Sequence, residues 1–331
     1  MSLSSKLFIS LLTVGVMFAV GVVAVVHIIN TQTADGVIKN FSKDTPVSTE
    51  ASSNGKVMQI DGSFVSPDGQ QPLDKNESSI QAPAPRPAIT ATSYLVGNID
   101  TGEIYISKNP DTVSPVASMS KLMTAIVATD SMSPTTTIEI TPEETDVPPD
   151  GSNLYAGEKF ELKDLLYPML LDSSNVAAEA IASSTNRLAF LAQMSGSAWE
   201  VNMPNAYFAD PTGLSPHNEA SANGIFSLAK YLYDYRPDIL AITRIPHMEV
   251  ATTTDHGSHS FDSIHPFVTD PRFIGGKTGR TPEAGETMLT IMNINDQPIA
   301  IVIMHASYGE RAADTGYLIK KYESMAGVAT R

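Results

Sequence analysis

The chain has 331 residues, enough for one or two domains, and carries 36 acidic against 21 basic residues, a formal net charge of −15. This acidic balance argues against a nucleic-acid partner, because the phosphate backbone repels it. The absence of cysteine excludes both a disulfide framework and a thiolate metal site.

The first predicted element is an apolar run at residues 7–29, which contains no formally charged side chain. As a helix it would span about 35 Å, against about 30 Å of membrane hydrocarbon. A secretory signal has a shorter apolar region and a small-residue cleavage site, and no good A-x-A site follows the run. We therefore expect residues 1–30 to be a single-pass anchor in the cell membrane, with a cleaved signal as the alternative.

Residues 31–88 are rich in Ser, Thr, Asp, Gly and Gln and close with QAPAPRPA. This composition is typical of a flexible linker with a stiff, extended end. The remaining residues, 89–331, are then expected to form one folded domain.

Strands are predicted near both ends of this domain. The segment SYLVGNIDTGEIYISK at residues 93–108 reads as a hairpin turning at residues 100–102. Two apolar, β-rich runs at residues 287–294 and 299–307 flank a turn at residues 295–298.

Helical spacing of apolar residues occupies the middle of the domain and its end. The predicted helices are at residues 118–130, 162–171, 176–184, 227–235 and 312–322. Strands at both ends with helices between them predict an α+β fold, in which N- and C-terminal strands form one antiparallel sheet covered by a central helical region.

The first candidate motif is Ser118-Met119-Ser120-Lys121. Residues three apart share a helix face, so Lys121 can bring its amine to the Ser118 hydroxyl. A serine needs a base to become a nucleophile, and a neutral lysine can serve. Backbone N–H groups in the first helical turn would also suit an oxyanion. Alone, the motif is weak, since a helix-capping serine with a solvated lysine fits as well.

The second motif is Ser173-Ser174-Asn175, which lies between two predicted helices and could equally be a helix N-cap. The third is Lys277-Thr278-Gly279 on a predicted strand, where the glycine allows a ligand close to the backbone. A strand edge with a solvated lysine is the alternative interpretation of this third motif.

The sequence around Lys277 also invites comparison with a phosphate-binding loop. That loop requires G-x-x-x-x-G-K-[ST] leading into a helix, but Pro271 stands where its first glycine belongs, and Gly279, Pro282 and Gly285 follow. The nucleotide hypothesis is therefore rejected. The order S-x-x-K, S-x-N, K-T-G instead marks serine acyl-transferases of the penicillin-binding and β-lactamase type.

Four segments carry a closer resemblance within about residues 90–325: residues 114–128, 165–182, 208–232 and 274–290. They resemble the low-molecular-mass penicillin-binding proteins, the D-alanyl-D-alanine carboxypeptidases of peptidase family S11. The resemblance implies a β-lactamase/transpeptidase-like fold, no cofactor, and catalysis outside the cytoplasm on D-Ala-D-Ala stem peptides of peptidoglycan. It also implies covalent inhibition by β-lactam antibiotics.

By this resemblance, Ser118 is the acylated nucleophile and Lys121 the general base. Ser173 would relay a proton to the leaving D-alanine, and Asn175 would orient Lys121 and the substrate amide. Lys277, Thr278 and Gly279 would form the substrate-binding strand, with Lys277 near the substrate carboxylate.

The sequence departs from the family in two places. Val176 follows the S-x-N asparagine, where an acidic residue is frequent, so the support of Asn175 is expected to differ. Well-known members also have a β-rich C-terminal domain and a C-terminal anchor. We expect neither after Tyr322, and the N-terminal run would replace the anchor.

Three alternative functions stay open. A D-alanyl endopeptidase would use the same site. A serine β-lactamase would need a deacylating carboxylate, and Glu219 with Asn223 matches an E-x-x-x-N spacing. The third alternative is a non-catalytic peptidoglycan-binding protein that keeps the groove.

The histidines do not predict a metal site. His256, His259 and His265 are close in sequence, but their spacing matches neither a helical nor a zinc-ribbon ligand pattern. We expect a polar hairpin here and no metal.

Overall fold

The computed structural model describes residues 89–148, 151 and 153–327. The expected anchor and linker, residues 1–88, lie outside the described residues, so the proposed division of the chain stays a prediction. In the part that is described, no helix has both the length and the apolar character needed to cross a membrane.

A five-stranded antiparallel sheet organises the described residues. The strands in chain order are β1 (Ser93–Asn98), β2 (Ile104–Lys108), β3 (Ser114–Pro115), β4 (Thr137–Glu139), β5 (Lys159–Glu161), β6 (Glu219–Ala220), β7 (His247–Val250), β8 (His259–Asp262), β9 (Phe273–Thr281), β10 (Gly285–Ile294) and β11 (Gln297–Ala306). The large sheet has the order β2-β1-β11-β10-β9, and three two-stranded ribbons pair β3 with β6, β4 with β5 and β7 with β8. The strands from the two ends of the domain thus meet in one sheet, as the sequence predicts.

The hairpin between β10 and β11 is tighter than expected. Asn295 and Asp296 both adopt positive φ angles, 54° and 59°, which is the backbone of the two-residue turn that matches strand twist. Gln297 and Pro298, predicted to be part of the turn, instead begin β11, where Pro298 pairs with Asn293. A proline is tolerated at this place because it lies at the start of its strand.

Helices cover both faces of the sheet. In chain order they are α1 (Ser120–Ser131), α2 (Pro142–Thr145), α3 (Leu162–Leu170), α4 (Asn175–Ser183), α5 (Arg187–Glu200), α6 (Ala222–Tyr235), α7 (Pro237–Thr243) and α8 (Arg311–Met325). Leu95, Leu289 and Val302 pack into the core beneath the central helices. Val96 and Ile301 are the sequence neighbours of Leu95 and Val302, so their side chains point to the opposite face of the sheet. There they pack beneath α8.

The sequence did not predict α5 and α7, and it began α6 five residues late. The buried face of α5 consists of Phe190, Met194 and Ala198, which is too narrow a stripe to stand out among the surrounding small residues. In α7, Pro237 occupies the first helical turn, where its missing N–H costs nothing.

Candidate active site

Ser118 lies in a 3-10 turn, Ala117–Met119, that leads into α1. The predicted α-helix from residue 118 is therefore wrong at its first turn, since α1 begins at Ser120. Ala117 has a φ of 50°, a left-handed conformation that is uncommon for a residue with a Cβ. The Ser120 hydroxyl donates to the Ala117 carbonyl at 2.8 Å and helps to hold this turn.

Lys121 is fully buried at the start of α1. Its Nζ lies 2.9 Å from Ser118 Oγ, 2.8 Å from Asn175 Oδ1 and 2.7 Å from the Thr212 carbonyl oxygen. Thus the structure brings three of the predicted residues into one hydrogen-bonded group. A distance of 2.9 Å between amine and hydroxyl is suited to direct proton transfer.

In the second motif, Ser174 caps a helix and Ser173 lies in the loop before it. Ser174 is the N-cap of α4, and its hydroxyl accepts from the Ala177 N–H at 3.1 Å. Asn175 is the first residue of α4, and its Nδ2 donates to the Pro148 carbonyl at 3.3 Å. Ser173 precedes the cap in the left-handed region, with a φ of 73°. The capping interpretation is therefore right for Ser174, and Ser173 is left outside the helix.

The third motif lies on β9, one of the two edge strands of the large sheet. Lys277 and Thr278 are buried. A Cβ added to Gly279 would lie 2.9 Å from the Ser118 backbone nitrogen and 2.9 Å from Ala117 Cβ. The glycine thus allows the strand edge to approach the Ser118 turn, so the first and third motifs are adjacent.

Lys277 is not the solvated lysine of the alternative interpretation. Burial lowers its pKa well below the ordinary lysine value, and the nearby cations Lys121 and Arg311 lower it further, while Asp172 opposes them. Its Nζ donates to the Thr278 carbonyl at 3.2 Å. An anionic ligand beside this desolvated amine would stabilise its protonated form.

Arg311 belongs to the same region and was not predicted. It is the first residue of α8, and its guanidinium donates to the Gly279 carbonyl at 2.9 Å. Burial lowers its pKa, and the nearby Arg280 acts in the same direction. No sequence motif predicts this contact, because Arg311 reaches β9 from a helix that is distant in sequence.

The predicted hairpin around the histidines is present as β7 and β8, and His256, His259 and His265 are buried. His256 stacks on Phe160 with centroids 4.2 Å apart, and His259 Nε2 lies 2.9 Å from Glu158 Oε1. His265 Nε2 lies 3.0 Å from the Leu289 carbonyl, opposite Lys277 on the neighbouring strand. Each ring therefore has its own packing partners.

Known proteins share this arrangement of strands and helices. A family model described as D-alanyl-D-alanine carboxypeptidase, peptidase S11, matches residues 78–308. A relative named D-alanyl-D-alanine endopeptidase, from Pseudomonas aeruginosa, is 30% identical over 226 residues, which cover 66% of this chain and 72% of the relative.

Two solved structures extend the comparison to the fold. The crystal structure of D-alanyl-D-alanine carboxypeptidase from Mycobacterium tuberculosis has a TM-score of 0.65 at 20% identity, covering 73% of this chain and 93% of that chain. Penicillin-binding protein D2 from Listeria monocytogenes, in its ampicillin-bound form, has a TM-score of 0.61 at 25% identity, covering 71% and 98% respectively. The expected α+β, transpeptidase-like fold is confirmed.

Proposed function

Because the chain belongs to peptidase family S11, we propose that this serine DD-peptidase is a D-Ala-D-Ala carboxypeptidase acting on peptidoglycan stem peptides through an acyl-enzyme on Ser118. The observation that carries the proposal is the 2.9 Å contact between Lys121 Nζ and Ser118 Oγ. This contact pairs a nucleophile with a base. The pair lies beside the edge strand β9, which can pair with an extended peptide.

Catalysis would proceed by acylation of Ser118 followed by hydrolysis of the acyl-enzyme. Ser118 Oγ attacks the carbonyl carbon of the penultimate D-alanine while Lys121 Nζ takes the hydroxyl proton. The Ser118 backbone N–H, beside β9, stabilises the negative oxygen of the tetrahedral intermediate. The C–N bond breaks, the terminal D-alanine leaves with a proton, and the remaining peptide is an ester of Ser118. Water hydrolyses this ester and restores the serine.

Two side chains of the second motif assist these steps. Asn175 Oδ1 accepts from Lys121 Nζ at 2.8 Å and so fixes the direction of the amine. Its backbone begins α4, so the amide is held by a rigid element. Ser173 relays the proton to the leaving amine. This role rests on the family resemblance.

Lys277 and Thr278 bind the terminal carboxylate of the substrate. A carboxylate arriving beside the buried Lys277 amine gains a charge-assisted hydrogen bond in a site shielded from water. Arg311 adds a second cation behind Gly279. β-Lactam antibiotics carry a similar carboxylate and acylate the same serine, so they act as covalent inhibitors.

The endopeptidase alternative keeps the same chemistry with a different leaving group. The leaving amine would then belong to a neighbouring stem peptide rather than to free D-alanine, and the named activity of the Pseudomonas relative favours this reading. The intact group of Ser118, Lys121 and Asn175 argues against a non-catalytic binding protein.

We also propose that the folded domain lies outside the cytoplasm, where peptidoglycan is, and that residues 1–30 anchor it in the cell membrane. The uncharged run at residues 7–29 supports this. Full-length protein should stay in the membrane fraction after carbonate washing. Release of a shortened soluble form would instead identify a cleaved signal.

The test of the activity is digestion of purified muropeptides by the full-length protein, followed by mass spectrometry. A carboxypeptidase removes one D-alanine from pentapeptide stems, whereas an endopeptidase converts cross-linked dimers into monomers. Ser118→Ala should abolish either product and also labelling by a fluorescent penicillin, with the fold retained. Labelling that persists in this variant would remove Ser118 from the nucleophile role.

A further inference from the structure

One loop touches both Lys121 and the Ser118 turn without belonging to any of the three motifs. It comprises residues 209–218 and leads into β6; we call it the 209–218 loop. Its Thr212 carbonyl accepts from Lys121 Nζ at 2.7 Å, the shortest of the three amine contacts given above. The Pro211 carbonyl accepts from the Thr124 hydroxyl at 2.6 Å, so the loop is joined to α1 at two successive carbonyls.

Asp210 organises this loop from within. Its Oδ1 accepts from the Thr212 N–H, the Thr212 hydroxyl and the Gly213 N–H at 2.7, 2.8 and 2.6 Å. Its Oδ2 accepts from the Ser215 N–H at 2.6 Å. A carboxylate with four donors fixes the peptide planes on both sides of Thr212, and therefore the direction of the Thr212 carbonyl.

Asn218 connects the loop to the turn that carries Ser118. Its Oδ1 accepts from the Ala209 and Asp210 N–H groups, at 2.8 and 3.1 Å. Its Nδ2 donates to the Asp210 carbonyl at 2.8 Å and to Ser120 Oγ at 2.9 Å. Its own carbonyl accepts from the Val116 N–H at 2.8 Å. The Asn218 side chain is fully buried, and its bond to Ser120 is shielded from water.

Gly213 brings the loop against the left-handed residue of the turn. Its φ is 86°, and a Cβ added there would collide with the Ala117 carbonyl. The backbones of the loop and the Ser118 turn thus pack closely together.

We propose that the 209–218 loop positions the reacting groups, and that Asp210 is the positioning residue that holds the Thr212 carbonyl in line with Lys121 Nζ. Asp210 touches no reacting atom and acts through the Thr212 carbonyl. Asn218 couples the same loop to the Ser118 turn. This inference rests on the proposed function, because it concerns the efficiency of Ser118 acylation.

The test compares Asp210→Ala with wild type as the full-length protein, using a fluorescent penicillin and stopped-flow kinetics. An alanine removes both acceptor oxygens and all four of their hydrogen bonds, so the Thr212 carbonyl loses its fixed direction. The first-order acylation rate constant should fall about 10- to 100-fold, as a displacement of about 1 Å in a catalytic group can cause. The dissociation constant for the drug before acylation should stay within about twofold, because the residues that bind its carboxylate are unchanged.

A milder variant and a matched control complete the design. Thr212→Val keeps the carbonyl but removes the hydroxyl that donates to Asp210 and accepts from the Leu214 N–H, and should slow acylation about fivefold while folding normally. Asp238→Ala on α7 removes a carboxylate that accepts from Arg236 and should leave the acylation rate constant unchanged.

Each outcome is decisive. Wild-type acylation rate constants in both Asp210→Ala and Thr212→Val would overturn the proposal, as would losses confined to the melting temperature or to the drug's dissociation constant. Absence of acylation in wild type would overturn the proposed function itself and this inference with it.

Discussion

Gly279 and Ser118 belong to different motifs, yet a Cβ at Gly279 would stand 2.9 Å from the Ser118 backbone nitrogen. The nitrogen that is proposed to stabilise the oxyanion therefore faces a strand position without a side chain. The close contact explains why a glycine is needed at the end of the lysine-threonine-glycine motif, independently of any ligand.

Gly279→Ala should therefore impair both acylation and stability. The added methyl group would also lie 2.5 Å from Thr287 Oγ1, so either β9 or the Ser118 turn must move. Overpacking of this kind costs about 1–3 kcal/mol of stability, and a displaced oxyanion donor costs about 100-fold in rate. Penicillin acylation rates and thermal unfolding measure the two effects.

The matched control is Gly196→Ala in α5, where an added Cβ meets nothing within 4 Å. Alanine is the better helix former by about 1 kcal/mol, so this variant should be more stable and fully active. Unchanged acylation in Gly279→Ala would mean that the strand and the turn adjust freely.

Lys277 provides a test based on pH. Its pKa lies well below the ordinary value because the amine is buried, so it loses its proton at a lower pH than a solvated lysine does. Binding of a carboxylate favours the protonated form, hence affinity should decline as pH rises through this lowered pKa. The concentration of penicillin for half-maximal acylation rate, measured from pH 6 to pH 10, should rise accordingly.

Two variants at the same position separate charge from packing. Lys277→Ala should weaken acylation by both peptide and drug at every pH. Lys277→Arg retains its charge throughout this range, so whatever activity remains should lose the alkaline decline in affinity. An alkaline decline that persists unchanged in the arginine variant would assign it to another group.

His265 predicts how stability depends on pH. Burial lowers its pKa to about 3, and the neighbouring cations Lys277 and Arg311 act in the same direction, against a backbone hydrogen bond to Leu289. Between pH 3 and pH 6.5 the unfolded chain binds a proton here that the folded chain does not. This contribution to stability is complete above pH 6.5 and is lost as pH falls toward 3, by at most about 1.4 kcal/mol per unit.

Urea unfolding at several pH values measures this effect. His265→Gln should be less stable at neutral pH but should have a shallower acid slope. The control is His247, whose pKa is raised by its hydrogen bond to Asp262. The contribution of His247 to stability therefore changes with pH in the opposite direction. It is present below the ordinary histidine pKa and is lost as pH rises through the raised pKa. An acid slope that is unchanged in His265→Gln would contradict the assignment.

The sequence predicted the strands that have a regular apolar pattern and the polar residues that belong to ordered motifs. Alternating apolar runs located β1, β10 and β11, and the ordered motifs located Ser118, Lys121 and Asn175. The left-handed Ala117 turn escaped prediction because an alanine gives no signal for positive φ. The turn is held by the Ser120 hydroxyl and packs against the 209–218 loop, contacts that depend on tertiary structure.

The sequence also could not predict which backbone carbonyls accept hydrogen bonds, or which side chains distant in sequence come into contact. Any residue could supply the carbonyl at Thr212 that receives Lys121 Nζ, so spacing alone cannot identify it. Arg311 reaches Gly279 from a helix that follows β11, and only the register of the sheet brings the two together. Burial of Lys277 follows from tertiary packing that local patterns do not encode.

Glu219 distinguishes the carboxypeptidase from the β-lactamase hypothesis. A β-lactamase needs an additional carboxylate that activates water against the drug ester, and Glu219 matches the expected spacing. In the structure, Glu219 is half-buried in the β3–β6 ribbon, where its backbone pairs with Pro115 and with Tyr207. Pro115 directly precedes the segment that forms the Ser118 turn, so its partner Glu219 lies near enough in space to require an experiment.

We expect Glu219 to take no part in deacylation. The ring of a bound penicillin remains on the ester and obstructs water, whereas a departing D-alanine vacates the site. Glu219→Gln should therefore change neither D-alanine release nor the lifetime of the penicilloyl-enzyme by as much as about tenfold, or about 1.4 kcal/mol of barrier. Intact-protein mass spectrometry over time follows the adduct. Clearance of penicillin within seconds by wild type, together with a stalled adduct in Glu219→Gln, would replace the carboxypeptidase by a β-lactamase.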